Sequence, residues 1–308
     1  MKKIFLLLCM LPSFVFAKEL ITIQFSASAS QPNYAPYLKT LDIANKMQDK
    51  YQFILEPKPG ANGALALKAM DQSPNNRLAT VAPAFVENAK QGLINESDYT
   101  PVAAQGDACW AVITNVGDTA KGIESLKGQK EITVGGTGYG NAAHITAIIL
   151  GEKYGFKVRY VVYRANFDAL VQMAAGVPIN MVVERVQNYQ TFKEKNPNLQ
   201  ILGINCPRRS ALMPNIKTLR EQGVETPTIF MATVANIKMP KERRDEISKI
   251  LLTAQAELGE KHLLDSADMF APQFSKPPVS VEDFFTRRVS QMHYLTTKYK
   301  EQIDEARK

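Results

Sequence analysis

The chain has 308 residues, 45% hydrophobic and 22% charged, a balance that excludes a disordered polypeptide and suits one large or two medium α/β domains. Its formal net charge is +7, yet the lysines and arginines are spread among acidic residues. That pattern excludes a nucleic-acid footprint and predicts mild attraction for small anions.

The N-terminus sets the expected compartment. Lys2 and Lys3 precede an apolar run from Ile4 to Leu11, and Val15-Phe16-Ala17 reads as a cleavage site, so residues 1–17 are expected to be a signal peptide. Leu8 stands before Cys9 where a lipoprotein would carry a small residue, which points instead to a soluble periplasmic product beginning near Lys18. The run falls short of the roughly 20 residues that span a bilayer. Cleavage removes Lys2 and Lys3 and takes the net charge from +7 to +5.

Leu20 to Phe25 forms a β-rich run, followed by the small-residue loop Ser26-Ala27-Ser28-Ala29-Ser30. Tyr34, Tyr37, Leu38 and Leu41 then recur at helical spacing, and Tyr51 to Leu55 gives the next strand. Strand, helix and strand in this order predict a parallel unit whose first loop lies at the carboxyl edge of the sheet. A helix over 64–70, a strand over 78–82 and a helix after Pro83 continue the pattern. A second α/β region follows, with strands over 110–114, 131–135, 158–163, 179–183 and 199–204 and helices over 142–154, 167–175 and 186–195. Thr228 to Val234 reads as a further strand, Pro240 opens an amphipathic helix, and Ser280-Val281-Glu282-Asp283 is a capping signature for a last helix expected on the first lobe.

Two lobes are expected: residues 18–105 with 228–308, and residues 106–227. The fold class is α/β, each lobe a mostly parallel sheet flanked by helices. Two cysteines remain after cleavage, Cys109 and Cys206, and an oxidising compartment leaves two arrangements open: a disulfide or a pair of packed thiols.

The richest local signal is Gly135-Gly136-Thr137-Gly138-Tyr139-Gly140-Asn141-Ala142-Ala143-His144, a turn between a strand and an apolar helix. Such a turn aims the first N–H groups of the helix at an anion. It also fits a dinucleotide fingerprint through Gly138, Gly140 and Ala143, but the next strand ends in Tyr163-Arg164 and not in the acidic residue that would hold a ribose. No His-x-x-x-His or Cys-x-x-Cys pair occurs, so neither metal nor cofactor is expected.

Beside the glycine-rich turn stand Pro59-Gly60-Ala61-Asn62-Gly63, Tyr163-Arg164 with Ala169-Leu170 and Gly176, and Arg208 to Pro214; taken in order, these landmarks resemble the tripartite tricarboxylate transporter substrate-binding proteins, the Bug group. Pro59-Gly60-Ala61-Asn62-Gly63 is similar to the family's Arg-Pro-Gly-Ala-Gly-Gly turn, with Lys58 for its arginine. Gly136 to His144 resembles its glycine-rich loop ending in a helix histidine. Tyr163-Arg164, Ala169-Leu170 and Gly176 resemble further family landmarks, and Arg208-Arg209-Ser210-Ala211-Leu212-Met213-Pro214 resembles its Lys-Arg-Ser-Pro-Ala-Leu-Pro segment.

The resemblance implies a two-lobed fold of the type II periplasmic-binding-protein kind with the ligand cleft between the lobes, and a periplasmic receptor that encloses a small organic carboxylate, such as a di- or tricarboxylate, and delivers it to the membrane permease subunits of a tripartite transporter. It implies no enzyme activity, no nucleic-acid partner and a monomer. The expected ligand-binding set is Ser26, Ala27, Ser28, Ala29, Ser30, Tyr34, Ala82, Pro83, Thr137, Gly138, Tyr139, Gly140, Asn141, Arg164 and Glu184, with His144, Tyr163 and Phe230 in supporting or structural roles. Two departures from the family stand out. The loop after the first strand has no glycine, and Glu184-Arg185 replaces the family's aspartate. The alternatives are a ligand sensor feeding a membrane kinase and, from another class, a secreted enzyme using His144.

Overall fold

The structure is a computed structural model that describes residues 17–308; the expected leader lies outside the described residues apart from Ala17. β1 (Glu19–Phe25) runs through the serine loop into α1 (Tyr34–Lys46), and β2 (Tyr51–Pro57) returns parallel to it, in register from Glu19↔Tyr51 to Phe25↔Pro57. α2 (Ala64–Asp71), β3 (Arg77–Val81) and α3 (Ala84–Lys90) follow, with β3 parallel to β1 on its other side. β4 (Tyr99–Ala108) and β5 (Trp110–Thr114) are separated by Cys109 alone, yet they belong to different sheets.

The second sheet then assembles from β6 (Glu131–Gly136), α4 (Ala142–Tyr154), β7 (Lys157–Val162), α5 (Asn166–Ala174), β8 (Met181–Arg185), α6 (Val186–Lys193) and β9 (Gln200–Asn205). The chain returns to the first sheet as β10 (Phe230–Asn236) and ends with α7 (Lys241–Leu258), α8 (Glu260–Ala267), β11 (Met269–Phe270), α9 (Val281–Lys298) and α10 (Lys300–Ala306). Strand orders are β11-β4-β10-β3-β1-β2 and β7-β6-β8-β5-β9. In the first sheet β10 and β11 oppose the remaining strands; in the second only β5 does.

β4 is the largest departure from the sequence reading, which placed no strand there. Pro101 and Gly106 interrupt a run otherwise rich in alanine, a composition that argues against a strand in isolation. Pairing along its length with β10 overrides that preference, and Gly106 at φ 124° lets the backbone of β11 approach so closely that a Cβ would lie 2.4 Å from the Phe270 carbonyl oxygen.

Three passes of the chain meet beside that strand. The Cys109 and Cys206 sulfurs lie within bonding distance, with Cα atoms 4.6 Å apart, and the Cys109 N–H donates to the Asp268 carbonyl at 3.1 Å. The end of the second sheet is thereby fastened to the connection between sheets.

Ser280 caps α9, its hydroxyl accepting the Asp283 N–H at 3.0 Å. The first half of α9 packs on the first sheet, where Phe284 and Phe285 join Phe230 in one cluster. Its second half departs from the expectation of a first-lobe helix: Met292 and Leu295, with Tyr299 and Ile303 beyond them, share a core with Ile145, Ile148 and Ile149 of α4. α4 is apolar almost all round because a sheet lies on one side and these C-terminal helices on the other.

Candidate functional site

At the carboxyl edge of the first sheet, Ser26 is tied to Thr80 of β3. The Ser26 N–H donates to Thr80 Oγ1 at 2.8 Å, and the two hydroxyls lie 2.9 Å apart. Ser28, Ala29 and Ser30 are exposed, and the Ser28 and Ser30 hydroxyls bond each other at 3.0 Å. Ala27 and Tyr34 pack against the core of this sheet. The Tyr34 ring stands 5.2 Å from Phe25 and its hydroxyl donates to the Leu55 carbonyl, which assigns it to the packed face of α1. Pro83 is buried at the start of α3, and Ala82 is half-buried beside it.

The glycine-rich turn is braced from behind at almost every position. Thr137 donates its N–H to Asn166 Oδ1 at 2.7 Å, and its carbonyl accepts from Asn141 Nδ2 at 2.6 Å and from the Tyr160 hydroxyl at 2.8 Å. Asn141 caps α4 by accepting the His144 N–H at 2.9 Å. His144 in turn accepts the Gly140 N–H on Nδ1 at 3.0 Å, with its ring 4.1 Å from that of Tyr160. Burial drives the His144 pKa down to about 3, and the nearby Arg307 charge acts in the same direction, so the imidazole is neutral and can accept. The N–H groups of Gly138 and Tyr139 have no acceptor among the described residues, and those of Ala142 and Ala143 belong to the open first turn of the helix.

The turn after β2 reaches across to this one. A Cβ on Gly138 would lie 1.9 Å from Asn62 Nδ2, and a Cβ on Gly63 would lie 3.3 Å from that of Ser26. Ser26, Gly63, Asn62 and Gly138 thus form a continuous bridge from one expected jaw to the other. Asn62 is itself in the left-handed region at φ 53°, its carbonyl accepting from Asn88 Nδ2 at 3.0 Å. Gly140, at φ 71°, lies against α3, where a Cβ would be 2.7 Å from Glu87 Oε2. Glu87 is buried and paired with Arg307 from the end of the chain.

The remaining expected residues separate. Glu184 is fully buried at the end of β8; one oxygen accepts the Arg185 N–H at 2.6 Å, while Oε2 has no partner among the described residues. Burial raises its pKa to about 7 against the opposing pull of Arg185. Arg164 is exposed after β7, and Tyr163 is half-buried with its N–H bonded to the Gly136 carbonyl at 2.7 Å. Phe230 lies in the core of the first sheet.

Several residues at the turns were not singled out by the sequence: Thr80, Glu87, Tyr160 and Asn166. Each acts through a partner distant in the chain, so only Asn166, an amide at a helix start, carried any local signal. Asn62 lay within a recognised motif without a role.

The family model described as the tripartite tricarboxylate transporter family receptor matches residues 39–261. The chain belongs to this family. The resemblance read from its ordered landmarks is borne out. Among solved structures, the receptor is similar to the periplasmic binding protein BugD, with 15% identity, a TM-score of 0.72, and 91% of this chain and 96% of the other covered. It is also similar to the MatC protein of Rhodopseudomonas palustris with bound malate, at 15% identity, TM-score 0.70, and 90% and 98% coverage. A third likeness is to an R. palustris protein with adipate, at 14% identity, TM-score 0.73, and 91% and 96% coverage. These identities carry the fold, and the two-lobed α/β class agrees with them.

Proposed function

We propose that this receptor works in the periplasm, holding a small organic carboxylate between its lobes and presenting it to the membrane permease subunits of a tripartite transporter. One observation carries the reading: a rigid turn with unengaged amide donors stands beside a hydroxyl-bearing loop, the two bridged through Asn62 and Gly63. Backbone N–H groups and hydroxyls bind a carboxylate without a strong long-range field, which suits capture followed by release. The relatives solved with malate and adipate favour the same ligand class.

The expected ligand contacts come from Ser28, Ser30, Gly138, Tyr139 and the first turn of α4; His144 and Asn166 hold that turn in shape. An enzyme built on His144 is disfavoured, since Nδ1 is committed to Gly140 and burial keeps the ring neutral. Catalytic turnover is expected to be absent.

The test is a thermal-shift panel on residues 18–308 after unfolding and refolding to strip retained solute. At a concentration of 100 Kd, a true ligand stabilises by about 2.7 kcal/mol. At least one di- or tricarboxylate should give such a shift. Shifts confined to sugars, amines or metal ions would overturn the reading.

A further inference from the structure

We infer that Trp110 and Arg185 form the far half of the ligand site and select a second anionic group on the solute. This rests on the carboxylate reading above and adds two residues to it. Trp110 and Arg185 face each other across the antiparallel pair β5 and β8, with the guanidinium carbon 5.6 Å from the indole ring. They lie at the sheet edge where the glycine-rich turn emerges, because Gly135 is level with Val182 and the turn begins where β8 reaches Glu184 and Arg185. Strands about 4.8 Å apart place the Arg185 backbone about one strand from the turn, and that of Trp110 about two strands, or ~10 Å.

Arg185 is only 4% exposed, and Nη1 donates to the Ala267 carbonyl at 3.2 Å. Its Nε, like the indole Nε1 of Trp110, is buried without an acceptor among the described residues. Two buried donors without acceptors are costly, and one of them belongs to a full positive charge. Glu184 and Asp268 act on the Arg185 charge through space, but neither accepts from these two donors: Glu184 bonds the Arg185 backbone, and Asp268 accepts from Ser210 and from the Ala211 N–H. Trp110 packs against the cores of both sheets, so it stands where a solute enclosed between the lobes would end. A carboxylate can accept from the indole and guanidinium N–H groups together, while the other end of a short aliphatic diacid reaches the turn.

Trp110 is the only tryptophan in the sequence, so its emission reports on this position alone. Stripped protein titrated with succinate, glutarate and adipate should show a change in Trp110 emission and bind at least one of them roughly tenfold or more tighter than butyrate or valerate. Arg185→Met and Trp110→Phe, measured by calorimetry, should collapse that diacid-to-monoacid ratio toward one. If Arg185→Met fails to fold, Trp110→Phe and the parent ratio carry the test. Equal affinity for diacids and monoacids, or an unchanged ratio in the variants, would overturn this inference and leave the carboxylate reading standing. No response to any carboxylate would overturn both.

Discussion

The two loops expected to grip the ligand are built in opposite ways. Around the glycine-rich turn, Asn166, Asn141, Tyr160 and His144 take up the backbone groups of Thr137, Gly140 and the first helical turn. In the serine loop Ser26 bonds Thr80 and Ala27 packs against the core, while Ser28 and Ser30 bond each other in solvent. The braced turn has its geometry settled before any ligand arrives, which lowers the ordering cost of binding. Ser28 to Ser30 of the serine loop are exposed, and if that loop contacts ligand it is expected to adjust to the solute at some cost in affinity.

The sharpest test of that contrast is a methyl group. Gly140→Ala places a side chain at φ 71° and forces its Cβ to within 2.7 Å of buried Glu87, combining backbone strain with overpacking. A loss of about 3 kcal/mol is expected from urea unfolding. Ala29→Gly in the exposed serine loop should change stability by less than about 0.5 kcal/mol. Equal effects at the two positions would remove the distinction.

His144 sharpens it by pH. Its folded pKa, about 3, lies below the ordinary 6.5, so neutral imidazole is favoured in the folded state. The resulting stability is fully present above pH 6.5 and is lost as pH falls from there toward 3. His144→Ala should remove about 2 kcal/mol at neutral pH and flatten that acid limb, as followed by denaturant midpoints across the range.

Glu184 titrates with the opposite sign. Its folded pKa, raised from 4.5 to about 7, gives stability that is complete below pH 4.5 and lost as pH rises to about 7 and above. Glu184→Gln should therefore gain about 1 to 2 kcal/mol over the parent at pH 8, and little at pH 4. Arg185, next in the chain, interacts with the ionised form and limits the gain. A loss at pH 8 would instead mark the charge as needed to hold Arg185.

Much of the braced turn was legible in the sequence. The strand expected over 131–135 ends one residue later, at Gly136, and α4 has the limits expected of it, 142–154, although neither the cap at Asn141 nor the stop at Gly155 was singled out. What could not be read was the support that comes from afar. Asn62 against Gly138, Glu87 against Gly140 and the Arg307 partner of Glu87 are tertiary facts without a periodic signal. β4 was hidden for the same reason, since its strand character comes from β10 and not from its own residues. Arg185 was noticed only as a neighbour of Glu184, although alternation along β8 sends the two side chains to opposite faces of the sheet.

The smallest expected effect on stability falls on the serine loop, and it is the one that separates grip from scaffold. Ser28 and Ser30 are exposed and bond mainly each other, so removing both hydroxyls leaves no buried group unpaired. The double substitution Ser28→Ala with Ser30→Ala should move the unfolding free energy by less than about 0.5 kcal/mol. If the hydroxyls turn from each other toward a bound carboxylate, the same variant should weaken ligand affinity by roughly two- to tenfold per lost bond, read by calorimetry. Lost stability with unchanged affinity would recast the loop as scaffold and leave the glycine-rich turn to hold the carboxylate alone.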